Sequence, residues 1–120
     1  HVGEIVVRAG HGHDFYDFDA KYLDSDAVEL SCPADVPVEV SNRIRELAVA
    51  AFQALGCEGL ARVDCFYTTS GQVLVNEINT MPGFTPSSMY PRMWQASGLS
   101  YPELIDELIA LALERPLGLR

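Results

Sequence analysis

The chain has 120 residues, of which 48% are hydrophobic, and 17 acids against 8 bases give it a net charge of −9. That length suits one domain or a piece of one, with enough apolar content for a core. The acidic balance argues against nucleic acid or an anionic membrane surface as partner, since both select a basic footprint. It leaves nucleotides open, because divalent metal ions bridge carboxylates to phosphates.

The sequence passes from His1 straight into Glu4-Ile5-Val6-Val7, a strand extending over residues 4–9. This reads as an internal start, so the chain is expected to be the C-terminal portion of something longer. Ala9 to Asp14 reads as a turn or loop, within which His11 and His13 form an H-x-H pair with no third ligand evident nearby. The aromatic, charged run from Phe15 to Tyr22 has no clean period and is placed in an ordered loop. Val28 to Pro33 is a short strand closed by proline.

From Val38 to Leu55, apolar residues at Val40, Ile44, Leu47, Ala48, Ala51 and Leu55 predict a helix with one buried face. Gly56 then suits a left-handed cap. Leu60–Tyr67 and Gln72–Ile78 predict a hairpin around Thr68-Thr69-Ser70-Gly71. A short helix is expected over Ser87–Ala96, with Trp94 either anchoring its face or meeting another subunit. Ser100 and Glu103 form a capping box. They open a last helix that turns Leu104, Ile105, Leu108, Ile109 and Ala112 inward and ends before Pro116. Met81, Met89 and Met93 read as core and loop filling. No apolar run approaches the ~20 residues of a membrane span, and no signal peptide is present. Cys32, Cys57 and Cys65 are scattered without CxxC spacing, which fits a reducing cytoplasm better than a disulfide framework.

The chemistry concentrates in the hairpin. With Thr68–Gly71 as the loop, Tyr67 faces Gln72, Arg62 faces Glu77 and Asp64 faces Val75. Side chains alternate faces along a strand. Arg62, Asp64, Glu77 and Asn79 then share one face, with Asp64 and Glu77 as diagonal neighbours, while Val63, Cys65 and Leu74 occupy the other. Two carboxylates and an amide oxygen suit Mg²⁺ or Mn²⁺, and Arg62 adds a fixed fork for phosphate. The plainer alternative is a solvated Arg62–Glu77 salt bridge. Cys65, away from that face, reads as packing. After the hairpin, Pro82-Gly83 permits a close backbone approach, and Thr85, Ser87 and Ser88 offer donors beside a helix start, where anions bind well.

Ala61-Arg62-Val63-Asp64 with Asn76-Glu77-Ile78-Asn79-Thr80-Met81-Pro82-Gly83-Phe84-Thr85, followed by Ser88-Met89-Tyr90-Pro91, resembles the C-terminal part of D-alanine–D-alanine ligases of the ATP-grasp superfamily. The run from Phe15 to Tyr22 is similar to that family's loop over the active site. The resemblance covers nearly the whole chain, from about Glu4 to the last helix. It implies an α/β fold of the α+β type: residues 1–120 as the C-terminal part of an ATP-grasp domain, a mostly antiparallel sheet with helices packed on it. The N-terminal domain and the front of the ATP-grasp domain, which supply the adenine and most first D-alanine contacts, lie outside these residues.

The resemblance also implies roles. Asp64, Glu77 and Asn79 would bind two Mg²⁺ (or Mn²⁺) ions, with Glu77 bridging them. Arg62 would contact the transferring phosphate and, with the Gly83 N–H, the oxyanion of the tetrahedral intermediate. Ser88 and Met89 would receive the carboxylate of the second D-alanine. Lys21 would contact the γ-phosphate of ATP, and Tyr22 would help close the loop. A tyrosine at that place goes with dipeptide formation, whereas relatives making D-alanyl-D-lactate commonly replace it. The implied activity is ATP-dependent joining of two D-alanines for peptidoglycan precursors by a cytoplasmic enzyme, homodimeric at full length. Two alternatives stay open: another ATP-grasp ligase, and a non-catalytic fragment.

Overall fold

Among the described residues, helix formation begins where proline fixes the backbone: Pro37 is the N-cap of α1, spanning Val38–Ala54. The computed structural model describes residues 2–7 and 28–115, which hold two antiparallel strand pairs and three helices. Strand β1 (Glu4–Val7) pairs with β2 (Val28–Ser31), placing Ile5 opposite Leu30. After α1 come β3 (Arg62–Tyr67) and β4 (Val73–Asn79), then α2 (Met89–Ala96) and α3 (Tyr101–Glu114). Antiparallel strands with helices packed on them make an α+β fold, as expected.

The inward positions of α1 are those its periodicity marks: Val40, Ile44, Leu47, Ala48 and Ala51 are partly buried, and the helix packs on β3 and β4. Its end is a Schellman arrangement. The Cys57 N–H donates to the Phe52 carbonyl and the Gly56 N–H to that of Gln53, with Gly56 at φ +61°. Leu55 is a correction to the predicted face: as the C-cap it points away and is 64% exposed.

The C-terminal helices form a second packing unit, α2 against α3. Tyr90 and Leu104 are the buried apolar side chains of the described core. The capping box at Ser100 and Glu103 is present in both directions. Leu104 turns inward, with Ile105 and Leu108 partly buried. Ile109 and Ala112, also expected inward, are exposed, because α3 runs on past the end of α2's single short stretch. Met93 reaches the β1–β2 strand pair: a Cβ on Gly3 would lie 3.2 Å from its Cγ and 2.9 Å from Leu30 Cδ1, so Gly3 admits both side chains. Met81, expected as filling, is 88% exposed.

The hairpin register differs from the expected one in two places. The loop is one residue shorter: the Thr68 N–H donates to the Gln72 carbonyl at 2.9 Å and the Gly71 N–H to the Thr68 carbonyl at 2.9 Å, with Gly71 at φ +84°. This is a type I turn closed by a left-handed glycine, a common three-residue hairpin loop. Further along, the pairing skips from Cys65↔Val75 to Asp64↔Glu77, leaving Asn76 as the extra residue of a β-bulge. Each change reverses the face of the residues beyond it, and together they cancel. Asp64 therefore faces Glu77, and Arg62 faces Asn79, in place of the expected Val75 and Glu77. Between loop and bulge only one reversal applies. Leu74 there pairs with Phe66 on the face of Arg62 and Asp64, a correction to its expected place beside Cys65.

Candidate functional site

Four of the predicted residues meet at the inner end of the hairpin. Arg62 donates from Nε to Asp64 Oδ1 at 2.8 Å and from Nη2 to Oδ2 at 2.9 Å, a two-pronged guanidinium–carboxylate pair. The same Nη2 lies 3.6 Å from Glu77 Oε1. Arg62 and Asp64 side chains are 14% and 17% exposed, while Glu77 is 42% exposed. One cation thus sits between two opposed carboxylates, and the outer one remains open to solvent. Asn79 Oδ1 accepts from the Met81 N–H at 3.0 Å, which starts the chain's turn into the following loop.

The donor set fits a hard divalent cation. Its members are carboxylate and amide oxygens on one face of one hairpin. Arg62 takes one lone pair from each Asp64 oxygen, and Met81 takes one from Asn79 Oδ1; each oxygen keeps another. Among the described residues, no three His, Cys, Asp or Glu side chains gather as a cation site. The group here has two carboxylates and draws its third oxygen from an amide.

Behind Asp64, burial pushes the Cys65 thiol up from its ordinary value, and the Asp64 charge pushes it further the same way. A thiol held protonated is a poor nucleophile, in keeping with a packing role.

Gly83 and Ser88 come from the loop joining β4 to α2. Phe84 anchors that loop: its ring lies 5.9 Å from Tyr90 and 5.5 Å from Tyr101, centroid to centroid, and its carbonyl accepts from the Tyr101 hydroxyl at 2.6 Å. Tyr90 meets Trp94 edge-on at 6.4 Å, which gives Trp94 its helix-face role. A Cβ on Gly83 would lie 3.0 Å from Ser88 Oγ, so glycine allows the serine hydroxyl to sit against the backbone. Ser88 is the N-cap of α2, and Met89 its first residue, yet the Ser88 side chain caps nothing in its own helix. Its Oγ instead accepts from the Thr85 N–H at 3.0 Å and lies 2.8 Å from Thr85 Oγ1. The sequence marks Thr85 only as one of the donors beside the helix start, and its pairing with Ser88 emerges from these contacts. Lys21, Tyr22, His11 and His13, with the Phe15–Tyr22 loop, lie outside the described residues.

A family model described as "D-ala D-ala ligase C-terminus" matches residues 1–110. The chain belongs to the D-alanine–D-alanine ligase family. It is 68% identical over 118 residues to a D-alanine–D-alanine ligase of Pseudarthrobacter chlorophenolicus, covering 98% of this chain and 31% of that protein. The corresponding ligase of Kocuria rhizophila is 63% identical, again over 98% of this chain and 30% of the relative. The chain thus spans about a third of the length of these relatives. Among solved structures, it resembles the VanG D-Ala:D-Ser ligase of Enterococcus faecalis with a TM-score of 0.73 and 43% identity, covering 91% of this chain and 30% of that one. The D-alanine–D-alanine ligase of Coxiella burnetii gives 0.72 and 48% over 76% of this chain and 26% of that one. A Bacillus anthracis ligase complexed with ATP gives 0.64 and 33%, over 70% and 31%. The fold is the C-terminal part of the ATP-grasp arrangement of these ligases. No helix among the described residues is long and apolar enough to cross a membrane.

Proposed function

We propose that the protein carrying this segment joins two D-alanines to D-alanyl-D-alanine at the expense of ATP, supplying peptidoglycan precursors in the cytoplasm. The observation that carries this reading is the Arg62–Asp64–Glu77 cluster, opposed across a bulged hairpin in a chain that the family model matches along most of its length. Residues 1–120 act as the C-terminal part of an ATP-grasp domain, and the rest of the ligase provides the adenine and first D-alanine contacts. The full-length enzyme is a homodimer in this reading.

In the first step, a D-alanine carboxylate oxygen attacks the γ-phosphorus of ATP, and ADP departs to leave an acyl phosphate. In the second, the amine of another D-alanine attacks the acyl carbon; the carbonyl reforms, inorganic phosphate leaves and the amine loses its proton. Both steps bring anions together. Asp64, Glu77 and Asn79 would hold two Mg²⁺ or Mn²⁺ ions, which would neutralise phosphate and carboxylate charge. Arg62 offers its planar fork to the transferring phosphate, already oriented by Asp64. Arg62 and the Gly83 N–H stabilise the oxyanion that grows at the acyl carbon. Ser88 and the Met89 backbone receive the carboxylate of the second D-alanine. Lys21, on the loop that covers the site, binds the γ-phosphate, and Tyr22 helps hold that loop shut against water. No side chain serves as a nucleophile; positioning and electrostatics do the work.

Phosphate release assays on the full-length protein with ATP, Mg²⁺ and D-alanine test this reading. Turnover is expected, and Glu77→Gln should reduce it by at least about a hundred-fold through lost charge stabilisation. Unchanged turnover in Glu77→Gln would remove the metal role from that residue. The 43% identity to a D-Ala:D-Ser ligase supports a second reading, in which D-serine is the acceptor. Competition of D-alanine, D-serine and D-lactate for the second site decides between the products.

A further inference from the structure

The hydroxyl groups beside Ser88 form a chain. Thr85 Oγ1 lies 2.8 Å from Ser88 Oγ and 3.1 Å from Ser87 Oγ. The Thr85 N–H donates to Ser88 Oγ at 3.0 Å, and the Ser88 N–H donates back to the Thr85 carbonyl at 2.9 Å. A serine hydroxyl has one hydrogen and two lone pairs. The Thr85 N–H takes the first lone pair, so the direction of the Oγ1–Oγ bond decides what Ser88 can still offer.

If Ser88 donated to Thr85, it would show an incoming anion only a lone pair. If Thr85 donates to Ser88, both lone pairs are filled and the Ser88 hydrogen is left pointing outward as a donor. Ser87 can then donate to Thr85 Oγ1, so that each hydroxyl polarises the next. The filled lone pairs also explain why Ser88 leaves its own helix uncapped.

Resting on the reading of Ser88 as a carboxylate-binding residue, we infer that Thr85 is a positioning residue: its hydroxyl and N–H together fix Ser88 as an obligate hydrogen-bond donor to the carboxylate of the second amino acid. Thr85 touches no substrate itself. Its contribution is therefore to acceptor capture and should leave nucleotide handling alone.

The test uses the full-length protein and steady-state kinetics with D-alanine varied at the second site. Thr85→Val, which keeps the shape and N–H but removes the hydroxyl, should raise the acceptor KM about ten-fold, as expected when a hydrogen bond to a charged group is misdirected. The KM for ATP should not move. Thr85→Ser should restore the wild-type acceptor KM. Combined with Ser88→Ala, Thr85→Val should add nothing further, because the group it orients is gone. An unchanged acceptor KM in Thr85→Val beside a raised one in Ser88→Ala overturns the positioning role and leaves the ligase reading intact. An unchanged acceptor KM in Ser88→Ala overturns the carboxylate role of Ser88 and this inference with it. Circular dichroism checks folding. Should Thr85→Val lose its folded signal, Thr85→Ala takes its place, and loss of fold in both makes Thr85 structural and overturns the inference.

Discussion

Asp64 faces Glu77 across the hairpin, and the two carboxylates share one guanidinium, that of Arg62. Opposed like charges on a strand pair are destabilising unless a cation lies between them. Arg62 therefore holds the folded hairpin together, besides the phosphate contact proposed for it.

Removing that guanidinium should have a signature that an ordinary surface mutation lacks. Arg62→Ala is expected to lower the stability of the full-length protein by about 2 kcal/mol, the scale of hydrogen bonds to a charged group. Millimolar Mg²⁺ should recover more of the melting temperature in Arg62→Ala than in the wild type, since the ion takes over the cation's place. Equal Mg²⁺-induced shifts in a thermal melt would show that the ion does not bind between Asp64 and Glu77.

The bulge offers a test of geometry alone. Inserting an alanine after Asn76 shifts the pairing by one residue, so that the alanine faces Asp64 while Glu77 and Asn79 turn to the opposite face, where Cys65 lies. The insertion variant is expected to keep its strand content yet weaken Mn²⁺ binding by more than about ten-fold, because two of three oxygen donors are lost. Electron paramagnetic resonance of Mn²⁺ measures the free ion directly. Wild-type affinity in the insertion variant would mean that the donors lie elsewhere.

Gly83 is predicted to be intolerant for a steric reason rather than a conformational one. A methyl group there meets Ser88 Oγ at 3.0 Å. Gly83→Ala should push Ser88 off its Thr85 contacts and raise the acceptor KM, with an additional loss in kcat where the Gly83 N–H is displaced from the developing oxyanion, about ten-fold or more. Kinetics matching the wild type would show that the loop yields freely.

The start of α3 carries a pH dependence. Hydrogen bonds from the Ser100 side chain and then its backbone hold the Glu103 carboxyl below its ordinary value. A carboxylate depressed on folding stabilises the folded helix above its unfolded value, and that stabilisation disappears as pH falls through the folded one. Amide exchange at Glu103 and Leu104 should therefore be faster in Glu103→Gln than in wild type near neutral pH, and the difference should disappear as pH falls through the lowered value of the folded Glu103 carboxyl. A difference that persists in acid would place the effect outside the carboxylate.

Much of this was legible in the sequence where a local rule decides it. The capping box, the glycine end of α1 and the inward stripe from Val40 to Ala51 each follow from residues within one or two turns. The hairpin shows where local rules stop. Thr68-Thr69-Ser70-Gly71 allows a loop of three or four residues, and nothing in Val75-Asn76-Glu77 marks a bulge. The grouping of Arg62, Asp64, Glu77 and Asn79 was anticipated because the two departures cancel, so the expected face was right while every expected partner was wrong. Helical periodicity was equally partial: it marked Leu55 and Ile109 as apolar, but what lies over an apolar stripe is decided by tertiary structure. Thr85 could be noticed only as a hydroxyl; its relation to Ser88 needs coordinates.

Tyr101 gives the fold a division of labour. Its hydroxyl ties the Phe84 carbonyl to α3, so the loop with Gly83 and Ser88 is carried by the C-terminal helix pair, whereas Arg62, Asp64 and Glu77 ride on the hairpin packed on α1. The two ends meet through Thr80–Pro82, and the Arg115–Glu58 ion pair at 2.6 Å links the tail of α3 back to the loop after α1. Under the proposed roles, changes far out in the last two helices would retune which amino acid is accepted while the phosphate end keeps its own geometry. Selection acting on such a fold would alter the product of the proposed reaction without rebuilding the machinery that drives it.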